Sequence, residues 1–235
     1  MKIVTRISRL VIAAGTPLLI IMLVYAMGTI FPKMLHVKHE YRGYTYYSSR
    51  FDKSFKESDF EFFIDGITAQ EPRYIYLLDS FYKDGYDIFI DDKFTYGWCT
   101  AKPTRDTDES ACIRYNRRTG NISAGMFINY KNDELTDRIF FHELTHYLDY
   151  KLGNVSQSAE FWDIFNAEYG SSTLSQRPYY SQINEYFAEE GAYFILFDSG
   201  HNNIQPNGVK YGVYEDAPRT FEFIKRQLET FRTDL

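Results

Sequence analysis

Hydrophobic and polar positions divide the chain into an apolar head, a strand-patterned middle and a helical tail. Leu10 to Phe31 is an uncharged run of 22 residues, preceded by Lys2, Arg6 and Arg9. As a helix it would extend roughly 33 Å, enough to span a bilayer, and membrane helices tolerate its Gly15 and Pro17. Val24-Tyr25-Ala26 offers a small-residue cleavage site, but the apolar stretch of a signal peptide is shorter, about 7–15 residues. The pattern therefore favours an uncleaved anchor over residues 10–31, with residues 1–9 as a cytoplasmic N-terminus; a cleaved run would leave a secreted protein. Residues 32–58 are polar and tyrosine-rich without a clean period, and read as a stalk.

From residue 59 onward the pattern is that of one domain. Glu71–Tyr82 reads as a helix. Tyr86–Asp91, Phe94–Ala101, Ala111–Tyr115 and Ile122–Tyr130 read as short strands, with a charged exposed loop over Lys102–Ser110 and a turn at Asn116–Asn121. Then come an amphipathic helix through Ile139–Leu148, capped by Asn132 or Asp133 and stopped at Gly153, and helices near Ser158–Tyr169, Ser181–Asp198 and Ala217–Phe231. A small sheet followed by helices is an α+β arrangement, and residues 59–235 suffice for one core. Ala124 and Gly125 carry little side chain, so the strand Asn121–Asn129 either offers an open edge to an extended peptide or is an ordinary strand with a bulge at Gly125.

Composition changes the picture in two ways. The net charge is −6 and no basic block follows the flanks of the apolar run, which argues against a nucleic-acid partner. Cys99 and Cys112 fall in two strand-like segments and either bridge a hairpin in an oxidising compartment or remain buried thiols. Lys33, Lys38 and Arg42 balance the basic residues ahead of the run, so charge alone does not orient it; the cysteines tilt the domain to the extracytoplasmic side. The 21 Tyr and 20 Phe carry no binding code of their own and belong to the core or its margins.

The chemistry lies in His142-Glu143-Leu144-Thr145-His146. Residues i and i+4 share a helix face, so two imidazoles can bind one Zn²⁺ while the intervening carboxylate serves as the base in hydrolysis of a peptide bond. Ile139, Phe140, Leu144, Tyr147 and Leu148 set that motif on a helix packed against a core. Two histidines leave the site a ligand short. The extended pattern with a third histidine fails, because Asp149 stands at its glycine and Leu152 at its histidine. His201 lies in a turn-like stretch, and His36 and His39 adjoin the apolar run. Glu185 and Glu189, four apart on one helix, are open alternatives to a plain acidic face, with Glu160 and Glu168 competing nearer the motif.

The segment Glu185-Tyr186-Phe187-Ala188-Glu189 following HExxH resembles the catalytic domain of anthrax lethal factor and the related Pro-Pro endopeptidases, a zincin-like fold. Asp216-Ala217-Pro218-Arg219-Thr220-Phe221-Glu222-Phe223-Ile224 resembles the end of the lethal factor chain. The resemblance covers roughly residues 60–235 and is specific at the motif helix, the Glu185 helix and this last segment. It implies His142, His146 and Glu185 as zinc ligands, Glu143 as base, and Glu189 as a residue orienting a ligand or the catalytic tyrosine; Asp149 is a further acceptor behind the ligands. The family also places an oxyanion-stabilising tyrosine about seven residues before the ligand glutamate. Here position 178 is Pro, and the role stays open between Tyr179 and Tyr180.

The expectation is a single-pass, membrane-anchored zinc endopeptidase acting on a peptide or protein outside the cytoplasm. The residues that would select proline are not identifiable. An intramembrane protease is disfavoured, since the motif helix is amphipathic and far from the span. The alternative from another class is a surface binding or colonisation module stabilised by zinc without turnover, in which four protein ligands close the metal site.

Overall fold

The computed structural model describes residues 31–50, 55–91, 111–115, 122–129, 136–198 and 216–235. In chain order these form α1 (Phe31–Leu35), β1 (His36–Tyr41), β2 (Tyr44–Ser49), α2 (Glu57–Gln70), α3 (Ile75–Lys83), β3 (Asp87–Asp91), β4 (Ala111–Tyr115) and β5 (Ile122–Asn129). They continue with α4 (Asp137–Lys151), α5 (Ala159–Glu168), α6 (Ile183–Asp198) and α7 (Pro218–Thr233). Among the described residues no helix is long and apolar enough to cross a membrane. The expected span lies outside them except for Phe31, which opens α1. The expected strand Phe94–Ala101, the loop and turn that follow it, and His201 also lie outside them.

The architecture is α+β, with a mixed five-stranded sheet in the order β1-β2-β3-β5-β4. The inner pairs β2–β3 and β3–β5 are parallel, while β1 and β4 pair antiparallel at the two edges. Period-two alternation divides the sheet residues between its faces. Tyr46, Ile88, Ile90, Met126, Ile128 and Ile113 join the helices in the main core. On the other face, Tyr47, Phe89, Phe127 and Cys112 form a cross-strand row in register. Its rings stack at 5.1 Å for Tyr47–Phe89 and 4.8 Å for Phe89–Phe127. Cys112, at the end of this row, is disulfide-bonded; Cys99, the other cysteine of the chain, is outside the described residues.

Four details correct the sequence reading. The stretch expected as a stalk folds into the sheet: β1 and β2 form a hairpin, and β2 pairs with β3. The helix expected over Glu71–Tyr82 is α3 and starts only at Ile75; Pro72, which has no N–H to continue a helix and disfavours helical backbone just before it, separates it from α2, a helix the sequence reading does not include. Thr136, not Asn132 or Asp133, caps the motif helix, its hydroxyl accepting the Ile139 N–H at 3.4 Å. Finally, β5 lies between β3 and β4, so its edge is closed, and among the described residues β4 is the last strand on that side.

Gly125 adopts φ +145°, and a Cβ there would sit 2.0 Å from the Asp87 carbonyl oxygen on β3. Only glycine allows that approach. Across β4, Ile113 pairs with Met126 and Tyr115 with Ile122, so the bulge weighed for this strand is present and includes Gly125.

Candidate metal centre

The centre is built by α4 lying against α6. Gly191 sets how closely they pack: a Cβ at this position would fall 2.5 Å from Thr145 Cγ2. On α4, Arg138, His142 and His146 recur every four residues and share a face; on α6, Glu185 and Glu189 do the same. The two rows interleave. Glu189 bonds Arg138 Nη1 through Oε1 at 2.6 Å and His142 Nδ1 through Oε2 at 2.8 Å. Glu185 Oε2 lies 3.4 Å from His142 Nε2 and 3.3 Å from His146 Nε2. One ligand atom from each of His142, His146 and Glu185 lies within 4.8 Å of the others.

Each carboxylate has neighbours besides the imidazoles. Asn184 Nδ2 donates to Glu185 Oε1 at 3.0 Å, and the Tyr179 hydroxyl donates to Oε2 at 2.6 Å. Burial raises the pKa values of Tyr180 and Tyr193, and their hydroxyls lie close enough to Glu189, which is fully buried, for its charge to raise them further. The two tyrosines left open by the sequence are thereby distinguished: Tyr179 is 47% exposed, whereas Tyr180 is 6% exposed.

The electrostatics follow from this packing. Burial raises the pKa of Glu189, but the His142 hydrogen bond and the Arg138 charge outweigh it and bring it down to about 2. Burial acts likewise on Glu185, yet the charge of His146 and bonds from both imidazoles hold it well below the usual carboxylate range. Burial lowers the His142 pKa; its bonds to Glu185 and Glu189 reverse that and push it up to about 10. Glu143 is raised by burial, with the charges of His142 and His146 opposing. The Ile113 main chain of β4 hydrogen-bonds its carboxyl, while Oε2 is buried with no hydrogen-bond partner among the described residues.

The remaining candidates have other partners. Asp149 accepts the Ser156 N–H at 2.7 Å and hydroxyl at 2.6 Å, closing the turn after α4 within electrostatic range of His146. Glu160 pairs with Arg226 at 2.7 Å on the surface. Glu168 accepts the N–H groups of Arg219 and Thr220 at 2.8 and 2.9 Å, and so caps α7. His39 joins Ser48 and Glu57 within the N-terminal region, and His36 packs its edge on Phe89. Arg138 and Asn184 did not stand out in the sequence; the one available signal was Arg138 falling four residues before His142.

A helix-borne HExxH whose imidazoles face a glutamate of a second helix, beside the edge strand of a mixed sheet, defines a candidate metal centre with a His/His/Glu donor set. The family model described as anthrax toxin lethal factor, N- and C-terminal domain, matches residues 117–227. Over that stretch, which carries the motif, Glu185 and the start of α7, the chain is similar to lethal factor. No curated protein matches the chain.

Proposed function

We propose that the chain is a zinc endopeptidase, tethered to a membrane by its N-terminal apolar run and acting on extracytoplasmic protein. The observation that carries the reading is the convergence of one atom each from His142, His146 and Glu185 within 4.8 Å. Two imidazole nitrogens and a carboxylate oxygen suit zinc, and three protein donors are the number a catalytic site uses. The tether rests on the length and composition of Leu10–Phe31.

When bound, zinc supplies Lewis acidity that activates water near neutral pH and polarises a carbonyl. Glu143 Oε2, buried and without a hydrogen-bond partner, accepts the proton of the attacking water and returns it to the leaving nitrogen. Burial suits this role, because it raises the affinity of the carboxylate for a proton. Glu189 accepts Nδ1–H of His142 and thereby turns Nε2 toward Glu185. Tyr179, exposed and with its hydroxyl 2.6 Å from Glu185 Oε2, donates to the developing oxyanion. Tyr180, buried on Glu189, supports that carboxylate instead.

Digestion of a peptide library by wild type and Glu143→Gln, with and without chelator and alongside zinc quantitation, tests the reading. Wild type should cleave and lose activity to the chelator, and Glu143→Gln should keep its zinc and lose turnover. Cleavage undiminished in Glu143→Gln would sink the assignment. Zinc-loaded wild type that cleaves no peptide would favour the binding module.

A further inference from the structure

We propose that Arg138 is a positioning residue of the metal centre, clamping one oxygen of Glu189 so that the other stays aimed at Nδ1 of His142. The proposal rests on the metal-centre reading above and extends it to a residue outside the HExxH motif. Glu189 is fully buried, and its Oε1 meets Arg138 Nη1 at 2.6 Å while Oε2 meets His142 Nδ1 at 2.8 Å. A buried carboxylate needs a compensating charge. A histidine serving as a metal ligand is neutral and offers only an N–H, so it does not supply that charge. Arg138 does, and guanidinium stays protonated whatever its surroundings.

The helical register explains why this residue can serve. Arg138, His142 and His146 form one i, i+4 row, and Glu189 and Glu185 form the facing row. Glu185 sits between two imidazoles, whereas Glu189 sits between one imidazole and the guanidinium. Arg138 thus closes the outer end of the ladder, its side chain 28% exposed while its partner is 0% exposed. With Met at 138, Glu189 would keep Tyr180 and Tyr193 as neighbours but lose its fixed cation.

The test is zinc affinity, measured by competition with a chromophoric chelator, with circular dichroism recorded on every variant. Arg138→Met should weaken zinc binding about 10- to 100-fold, the range for ligand-supporting residues. Arg138→Lys should recover most of the loss. Because an uncompensated Glu189 can also unfold the chain, the substitution is repeated on Glu189→Gln. There Arg138→Met should change affinity less than about twofold, since the arginine acts only through that carboxylate. Full zinc affinity in a folded Arg138→Met variant, or an undiminished effect on the Glu189→Gln background, overturns the role of Arg138. Wild type that holds no zinc overturns the metal-centre reading itself, and affinity is read without reference to peptide cleavage.

Discussion

Tyr179 and Tyr180 are adjacent, yet their surroundings assign them different work. Tyr179 reaches Glu185 from the exposed side, and Tyr180 is buried on Glu189. Tyr179→Phe is therefore expected to lower kcat on a cleaved library peptide by about 10²–10³, the scale of a lost oxyanion donor, with zinc content unchanged. Tyr180→Phe should leave kcat within a few-fold and weaken zinc retention instead. The opposite ranking would reassign the oxyanion role to Tyr180. The His142–Glu143–His146 spacing was legible in the sequence because helical periodicity alone brings those groups together. Glu185 was not legible in this way: from spacing it stood level with Glu160 and Glu168, and resemblance had to favour it. Folding separates the three, since Arg226 takes Glu160 and the start of α7 takes Glu168. Arg138 was hidden for a related reason, as its partner lies 51 positions away.

At the scale of elements, the contact between α4 and α6 is the sensitive one. Gly191→Ala would press a methyl into Thr145, whose hydroxyl donates to the Phe141 carbonyl at 2.7 Å. We expect a loss of about 1–3 kcal/mol, from overpacking, in urea denaturation. Adding Thr145→Ala should recover part of it; no recovery would mean that the strain lies elsewhere. Glu168→Ala removes the carboxylate that receives two N–H groups of α7 and should cost about 1–2 kcal/mol. Glu160→Ala breaks an exposed pair and should stay within about 1 kcal/mol. Equal losses from the two would refute the capping role. All four later helices were readable to within a few residues, because each carries apolar residues at helical spacing between clear stop signals. The hairpin was not, since Tyr46 and Tyr47 are buried on opposite faces of β2 and erase the alternation that marks a strand. The start of α3 lies four residues beyond the expected Glu71, because Pro72 admits helical backbone only after it and the chain turns through Arg73 and Tyr74 first.

For the molecule as a whole, the buried carboxyl of Glu190 sets a pH dependence. Burial, with the charges of Glu189, Asp216 and Glu168, pushes its pKa up to about 8, against the Ser172 hydrogen bond. The folded chain then holds this proton more tightly than the unfolded chain, whose ordinary value is 4.5. Its contribution is fully present below about pH 4.5 and is lost as pH rises through about 8. Denaturation midpoints of metal-free protein should therefore fall between pH 5 and 8.5, and Glu190→Gln should flatten that slope. Some slope should persist from Glu71, which burial and Asp137 push up to about 7. An unchanged slope in Glu190→Gln would rule out Glu190 as its source.

The parallel pairings at the centre of the sheet bear on how the chain reaches this structure. Tyr46 on β2 meets Ile88 on β3, and Ile88 meets Met126 on β5, each partner about forty positions further along the chain. During synthesis the β1–β2 hairpin forms early but must wait, one edge open, until β3 emerges, and β3 must then wait for β5. The helix bearing the histidines follows β5, so it has no completed sheet to dock against until both of these long loops have closed. Assembly of the metal-centre residues is thereby coupled to these long-range closures, and the open hairpin edge is where a stalled chain is exposed to pairing with another.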